Sequence, residues 1–378
     1  MSEAFEKAER VPRAFDWYLL LPAVTLTLLG ILTMNTFGAG ASLAPRQVEW
    51  LGFAIVVYAL LSSLDLRFLR RKEVVAAAYG LALVLLAVLL LVAHKVMGAK
   101  SWFTIAGFSF QPADFAKLAL IVMLAKYLSR RHVDIAQIRN VVISGLYAGA
   151  LILLVLVQPD LGTAVILGCI WLGMMLVSGI SKKHLAIVGL IGIVAATGLW
   201  FGGLHDYQRA RIVAFINPAA DIHGSGYNAY QATIAVGSGE WLGKGIGYGT
   251  QSKLRFLPEY ETDFIFAAFA EEWGFVGVIL LLLLYGLLLA RLIDIARRSA
   301  TNFDAFFTLG VVILFMSHLF IHAGISLGLL PVTGTTIPFM SSGGSHLIME
   351  FAALGIVSSL AKHGRSVSRA SAGQEYIG

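Results

Sequence analysis

Charge is what this sequence has least of. Asp, Glu, Lys and Arg make up 13% of its 378 residues while 58% are hydrophobic, whereas an ordinary soluble domain is about 25% charged. So little charge cannot clothe a water-exposed surface, which excludes a soluble enzyme built on one apolar core. A mean hydropathy of +0.80 excludes a disordered chain as well. Cysteine is nearly absent too: Cys169 stands alone in an apolar run, which excludes a disulfide framework and a cysteine-based metal site. The nine Pro and 39 Gly are dispersed and form no low-complexity tract. The net charge of +6 does not point to nucleic acid, because in a membrane chain the placement of basic residues matters more than their sum. What remains is an all-α, polytopic membrane protein.

A bilayer core takes roughly 20 mostly apolar residues per helix. Ten stretches qualify, near residues 16–36, 49–65, 73–95, 112–129, 140–158, 160–180, 184–204, 262–290, 304–330 and 341–361. The fourth is the poorest, being short and interrupted by Asp114 and Lys117. The first reads as a span and not a cleaved leader, since a polar arm precedes it and no small-residue cleavage site follows. With the N-terminus inside, 18 of the 28 Lys and Arg fall in inner segments and eight in outer ones, five of those eight in one long loop. Short basic loops stay cytoplasmic, so both termini are expected there, with tails of about 1–15 and 362–378. The whole chain, 1–378, reads as one integral membrane domain.

The connection at about 205–261 is far longer than a usual loop, and long loops tend to be functional or disordered. Its GEWLGKGIGYGTQSKLRFLPE run (239–259), rich in Gly and aromatics, is an unlike composition for a slack linker. Within the spans, ionisable residues are functional suspects by default. Asp114, Asp160, Asp263, Glu271, Glu272 and Glu350 qualify, together with Lys117.

Asp114 and Asp160 each follow a Pro and Asp263 follows Thr262, which places each in the first turn of its helix. Acids favour that end of the helix dipole, but these three starts all face outward and are expected to line one cavity. Lys117, a turn beyond Asp114, either pairs with it or meets a ligand. Glu271 and Glu272 should lie about 12 Å deeper than Asp263, as an interhelical contact or a proton-linked group, and Glu350 is equally open. His318 and His322 have metal-ligand spacing but no third ligand nearby in sequence. Ser342, in SSGGS (341–345), opens the last span with backbone N–H groups suited to an anion or to a plain cap.

The run GYGTQSKLRFLPEYETDFIFAAFAEEWGFVG (247–277) resembles the SEDS family, as do KSWFTIAGFSFQPADFAKL (100–118), QPDLGTA (158–164) and GLLPVTGTTIPFMSSGGS (328–345). FLPE followed by TDFIFA is more similar to the elongation (RodA) branch than to the division (FtsW) branch. Departures fall mostly around the last two spans. Many relatives carry Glu at the place of Asp114 and Tyr at that of Ser342, while IHAG (321–324) and Thr335-Thr336 replace other segments.

The resemblance implies a peptidoglycan glycosyltransferase in the bacterial cytoplasmic membrane that joins lipid II units on the outer face during elongation. It also implies a class B penicillin-binding protein as transpeptidase partner and release of undecaprenyl pyrophosphate. The family's essential Asp of TDFIF maps onto Asp263.

The chemistry fits one carboxylate. An acceptor hydroxyl must lose a proton as it attacks the anomeric carbon, whereas pyrophosphate leaves without protonation, unlike the leaving oxygen in glycoside hydrolysis. Asp263 is therefore the candidate general base of an inverting transfer, improved as a base by partial burial. The leaving group needs cations: Lys117 and Lys253 are favoured, with Arg209, Arg211, Lys244 and Arg255 also outside. Asp114 and Asp160 are further substrate-contact candidates. A divalent Mg²⁺ or Mn²⁺ held by acids and pyrophosphate would serve as well. Trp102, before the fourth span, is an interface anchor or a contact at the cavity mouth. The competing class is a flippase for the lipid-linked precursor, which would use the same buried acids.

Overall fold

The computed structural model describes residues 15–35, 43–92, 102–105, 108–130, 137–217, 224–254, 256–257 and 259–374. Among them the long helices are α1 (Trp17–Asn35), α2 (Ala44–Ser63), α3 (Lys72–Val92), α4 (Pro112–Ser129), α5 (Ile138–Val157), α6 (Leu161–Ser178) and α7 (Lys182–Gly198). The outer loop folds into α8 (Asp206–Ile216), α9 (Ser225–Ser238) and the short α10 (Thr250–Lys253). After it come α11 (Ile265–Arg297), α12 (Asn302–Ser326) and α13 (Gly344–Gln374). Eight of these helices are long and apolar enough to cross a bilayer. Two more that match expected spans, α2 and α4, fall short because Arg46 and Glu49 dilute one and Asp114, Lys117 and Lys126 the other. The chain is thus a multi-pass, all-α membrane protein.

Two interlocked ends define the molecule. At one, Arg291 Nη2 reaches Asp16 Oδ2 at 2.6 Å and Arg70 Nη2 reaches Asp304 Oδ2 at 2.6 Å. There the Ser359 hydroxyl also donates to Leu64 O at 2.6 Å, and Lys126 to the carbonyl of Arg70. At the other, Leu43 N–H donates to Glu261 Oε1 at 3.1 Å, and Gln111 N–H to Ser345 Oγ at 3.3 Å. Between them runs one apolar core from α1 to α13, with Leu26, Leu120, Ile170, Phe269, Phe307 and Phe351 fully buried.

Element boundaries depart from the sequence reading in physically legible ways. α11 runs past the expected 290 to Arg297 because Arg291–Asp294 (2.9 Å) and Arg298–Asp294 (2.7 Å) pairs extend it beyond the apolar stretch. It is also broken: Gly274 has φ 64°, ψ −168°. α13 starts at Gly344, not 341, and continues to Gln374 through the expected tail. Ahead of α4, Phe103–Ile105 and Phe108–Phe110 pair as an antiparallel hairpin, which apolar periodicity does not reveal in so short a segment.

The long loop does not stand above the bundle. Gly239–Gly247 lies in the break of α11, where Phe275 N–H donates to Glu240 O at 2.8 Å and Val276 N–H to Trp241 O at 3.1 Å. Lys244 and Gly245 N–H donate back to the Glu271 and Glu272 carbonyls at 3.0 Å each. The loop therefore satisfies backbone groups that a broken helix would otherwise bury unpaired, the condition for irregular backbone at membrane depth. A methyl on Gly274 would come within 2.2 Å of Gly243 N, so this approach requires glycine.

Candidate active site

Asp263 does not sit in the first turn of α11, nor is Thr262 its cap. The N-cap is Phe264, and the N–H groups of Thr262, Asp263 and Phe264 all donate to Glu259 O at 3.2, 3.0 and 3.2 Å. That knot, with Glu259 at φ 51°, turns the Asp263 carboxyl out of the helix. Asp160 is likewise not inside α6 but is its N-cap, accepting Thr163 N–H at 3.0 Å and the Thr163 hydroxyl at 2.8 Å. Pro159, at φ 31°, lies outside the helix. Its carbonyl accepts Tyr207 OH at 2.9 Å and Gln208 Nε2 at 3.2 Å, which docks α8 beside α6.

On α8, Arg211 stands 5.7 Å from the Tyr207 ring centroid and near enough to Asp263 for its charge to act there. Gly334, at φ 72°, lies against both: a methyl there would come 3.4 Å from Asp263 Oδ2 and 4.0 Å from Arg211 Nη1. Glycine alone supplies that backbone without filling the space between acid and base. Asp263 is partly exposed. Burial and the negative charge of Glu259 and Asp160 push its carboxyl up to about 6, against the pull of Arg211 and a hydrogen bond from Thr262. Arg211 was one outer base among several in sequence. Its signal was the four-residue spacing to Tyr207 on a helix that composition alone does not reveal.

Of the three acids expected to line one cavity, Asp160 and Asp263 lie near enough for the charge of one to act on the other. Asp114 lies in a separate buried cluster: Lys117 Nζ is 2.8 Å from Asp114 Oδ1, and His346 Nδ1 is 3.2 Å from the same oxygen. His346 Nε2 is 2.8 Å from Glu350 Oε1, Lys117 Nζ is 3.3 Å from His318 Nε2, and Glu350 Oε2 accepts Phe339 N–H at 2.7 Å. The enclosed cavity measures about 10 Å³, room for one water at most. Lys117, 4% exposed, is thus paired and closed off from the rim. The reason is solvation: burying a lysine this deep is costly, and the adjacent carboxylate offsets part of that cost. Ser345, which donates to Asp114 Oδ2 at 3.2 Å, and Ser341, which donates to Thr262 O at 2.7 Å, tie the two sites to one short segment.

The remaining candidates point elsewhere. Lys253 is exposed on α10, 5.7 Å from the Tyr248 ring centroid. Arg209 faces Phe201 O at 3.3 Å and Asp206 at 4.0 Å, while Lys244 pairs with Glu271 at 2.7 Å. Ser342 N–H donates to Glu261 O at 2.9 Å and Gly343 N–H to Gln47 Oε1 at 3.2 Å, so those groups are not turned to an anion. Trp102 is half-buried at the foot of the hairpin. Arg255 lies outside the described residues.

His318 and His322 bond through Nδ1 to the carbonyls of Thr336 and Thr335, at 2.9 and 2.8 Å, and so brace the segment before α13. Among the described residues no three His, Cys, Asp or Glu side chains converge as a metal site.

The model of the cell cycle protein family that groups FtsW, RodA and SpoVE matches residues 13–366. The chain belongs to this family. It is 34% identical over 366 residues to the peptidoglycan glycosyltransferase MrdB of Escherichia coli K12, covering 94% of this chain and 97% of that one. To the stage V sporulation protein E of Bacillus subtilis it is 34% identical, covering 92% and 97%. Among solved structures, this FtsW/RodA/SpoVE-family chain superposes on the Thermus thermophilus rod shape determining protein RodA with TM-score 0.70 and 31% identity, over 93% of this chain and 98% of that one. It superposes with TM-score 0.78 and 32% identity, over 93% and 98%, on a chain from a peptidoglycan synthase complex described as coordinating polymerization and crosslinking.

Proposed function

We propose that this protein is a peptidoglycan glycosyltransferase that polymerises lipid II at the outer face of the cytoplasmic membrane during elongation, with Asp263 as general base. The observation that carries the reading is a partly exposed Asp263 whose carboxyl is pushed up to about 6 with Arg211 near enough to pull against that rise, both side chains lying beside Gly334. A base near the ambient pH is ionised and still holds a proton well. The acceptor sugar hydroxyl gives its proton to Asp263 as its oxygen bonds to the donor's anomeric carbon. The bond from that carbon to pyrophosphate breaks, and the configuration inverts from α to β. Negative charge on the departing pyrophosphate is met by Arg211, not by the enclosed Lys117.

Among the described residues the donor set is too sparse to cage a metal. A Mg²⁺ or Mn²⁺ arriving with pyrophosphate would find Asp160 and Glu259 as carboxylate donors, in keeping with the one or two that Mg²⁺ commonly takes. The likeness to a chain of a peptidoglycan synthase complex that coordinates polymerization and crosslinking supports a class B penicillin-binding protein as partner, and the basic inner ends support cytoplasmic termini.

The test is reconstitution with lipid II. The wild-type protein forms glycan strands, and Asp263→Asn lowers the rate by about 10²–10⁴ while the protein keeps its thermal midpoint. Lipid II that changes leaflet without being joined would replace this reading with transport.

A further inference from the structure

Glu271 is completely buried, yet none of its contacts belongs to the proton or charge transfer just described. Its Oε1 accepts Lys244 Nζ at 2.7 Å, Thr250 N–H at 2.9 Å, Thr250 Oγ1 at 3.1 Å and Gln251 N–H at 3.1 Å. Oε2 takes Gln251 N–H at 3.2 Å. These donors come from the loop, while the acceptor stands on α11 one turn before its break at Gly274. Its neighbour Glu272 takes Gly247 N–H on Oε1 at 2.6 Å. A buried carboxylate that gathers this many donors is costly to disturb, because each would be left unpaired.

From there a continuous set of contacts runs to the catalytic turn. The N–H that Glu271 holds belongs to Gln251, and Gln251 O accepts Leu257 N–H at 3.0 Å. Leu257 is fully buried against Phe264, Ala267 and Ala268. Two residues later Glu259 O collects the N–H groups of Thr262, Asp263 and Phe264. Both the start and the end of this path rest on the same half-helix, so the described residues 250–254, 256–257 and 259–264 form a closed strap with Glu271 as its fastening and Asp263 at its far end.

We propose that Glu271 is a positioning residue for the glycosyl transfer: by fastening Lys244, Thr250 and Gln251 to α11 it fixes the strap that holds the Asp263 carboxylate in register with the acceptor hydroxyl. This inference rests on the proposed function and adds a residue to it. Misplacing a reacting group by about 1 Å costs up to about a hundredfold in rate, and the loss falls on kcat because the groups that hold lipid II are untouched.

The experiment compares wild-type, Glu271→Ala and Glu271→Gln proteins in the reconstituted lipid II assay, with hydrogen exchange on each. Glutamine keeps an amide oxygen where Oε1 accepts most of its bonds, so it rescues in part. The expected result for Glu271→Ala is a kcat lower by about ten- to a hundredfold with KM for lipid II within about threefold. Exchange should quicken over residues 244–257 but not over α4, α6 or α12, and Glu271→Gln should lie between the two proteins.

Unchanged kcat with quickened loop exchange overturns the proposal, as does a purely KM effect or unchanged exchange. Should the alanine protein exchange rapidly throughout, the glutamine protein decides alone: a folded Glu271→Gln with wild-type kcat and a loosened loop refutes it, and one with lowered kcat and unchanged KM supports it. A wild-type protein that forms no glycan refutes the proposed function itself, which separates the two failures.

Discussion

At the scale of single residues, the site is an acid and a base that both lie beside one glycine. Because Asp263 must be ionised to take a proton and its carboxyl lies near 6, kcat/KM should fall about tenfold per pH unit below pH 6 and level off above it. A pH–rate profile on lipid II checks this, and a flat profile between roughly pH 5 and 8 contradicts it. Arg211→Met should lower kcat/KM by about 10- to 1,000-fold through lost stabilisation of the departing pyrophosphate, whereas Lys253→Met, on the exposed Tyr248 face, should change it little. A kinetic comparison of the two decides which base serves the leaving group. The sequence named Asp263 and Asp160 because an acid at an outward helix start is out of place in a membrane. It left Lys117 open between a pair with Asp114 and a ligand contact, since an i,i+3 spacing looks the same whether a pair faces a cavity or closes on itself beside His346 and Glu350. Arg211 stood among the loop bases without being favoured, for the opposite reason. A basic residue in a polar loop carries no signal of its own, and its value comes from Pro159 docking α8 against α6.

At the scale of elements, the interruption of α11 organises the outer half of the protein. Gly274→Ala places a methyl 2.2 Å from Gly243 N on a backbone at φ 64° and should destabilise by about 2–5 kcal/mol. Gly80→Ala, a helix interior with open space around it, should be neutral or stabilising by about 0.5–1 kcal/mol. Thermal denaturation in detergent distinguishes the two. Ten long helices were legible because a run of apolar residues the length of a bilayer has few other readings. The break was not legible, because Gly is common in membrane helices and nothing local marks one that must admit another segment. The hairpin before α4 and the helices of the loop were missed for a related reason: they are too short or too polar for periodicity to speak.

At the scale of the whole molecule, two ionic ends and one apolar core define an axis, and basic residues crowd the end where Arg291 meets Asp16 and Arg70 meets Asp304. In a Cys169→Ser background, Lys253→Cys should react with an impermeant maleimide in intact cells and Arg298→Cys only after permeabilisation, an outcome fixed by the inside bias of Lys and Arg. The reverse pattern would place Asp263 on the cytoplasmic side. The enclosed cluster also bears on how the chain is made. Asp114 and Lys117 leave the ribosome roughly 230 residues ahead of His346 and Glu350, an interval of about 10–50 s at ordinary rates of synthesis. During that wait the aspartate and the lysine have each other but neither His346 nor Glu350, so the buried cluster is completed only when the last helix arrives.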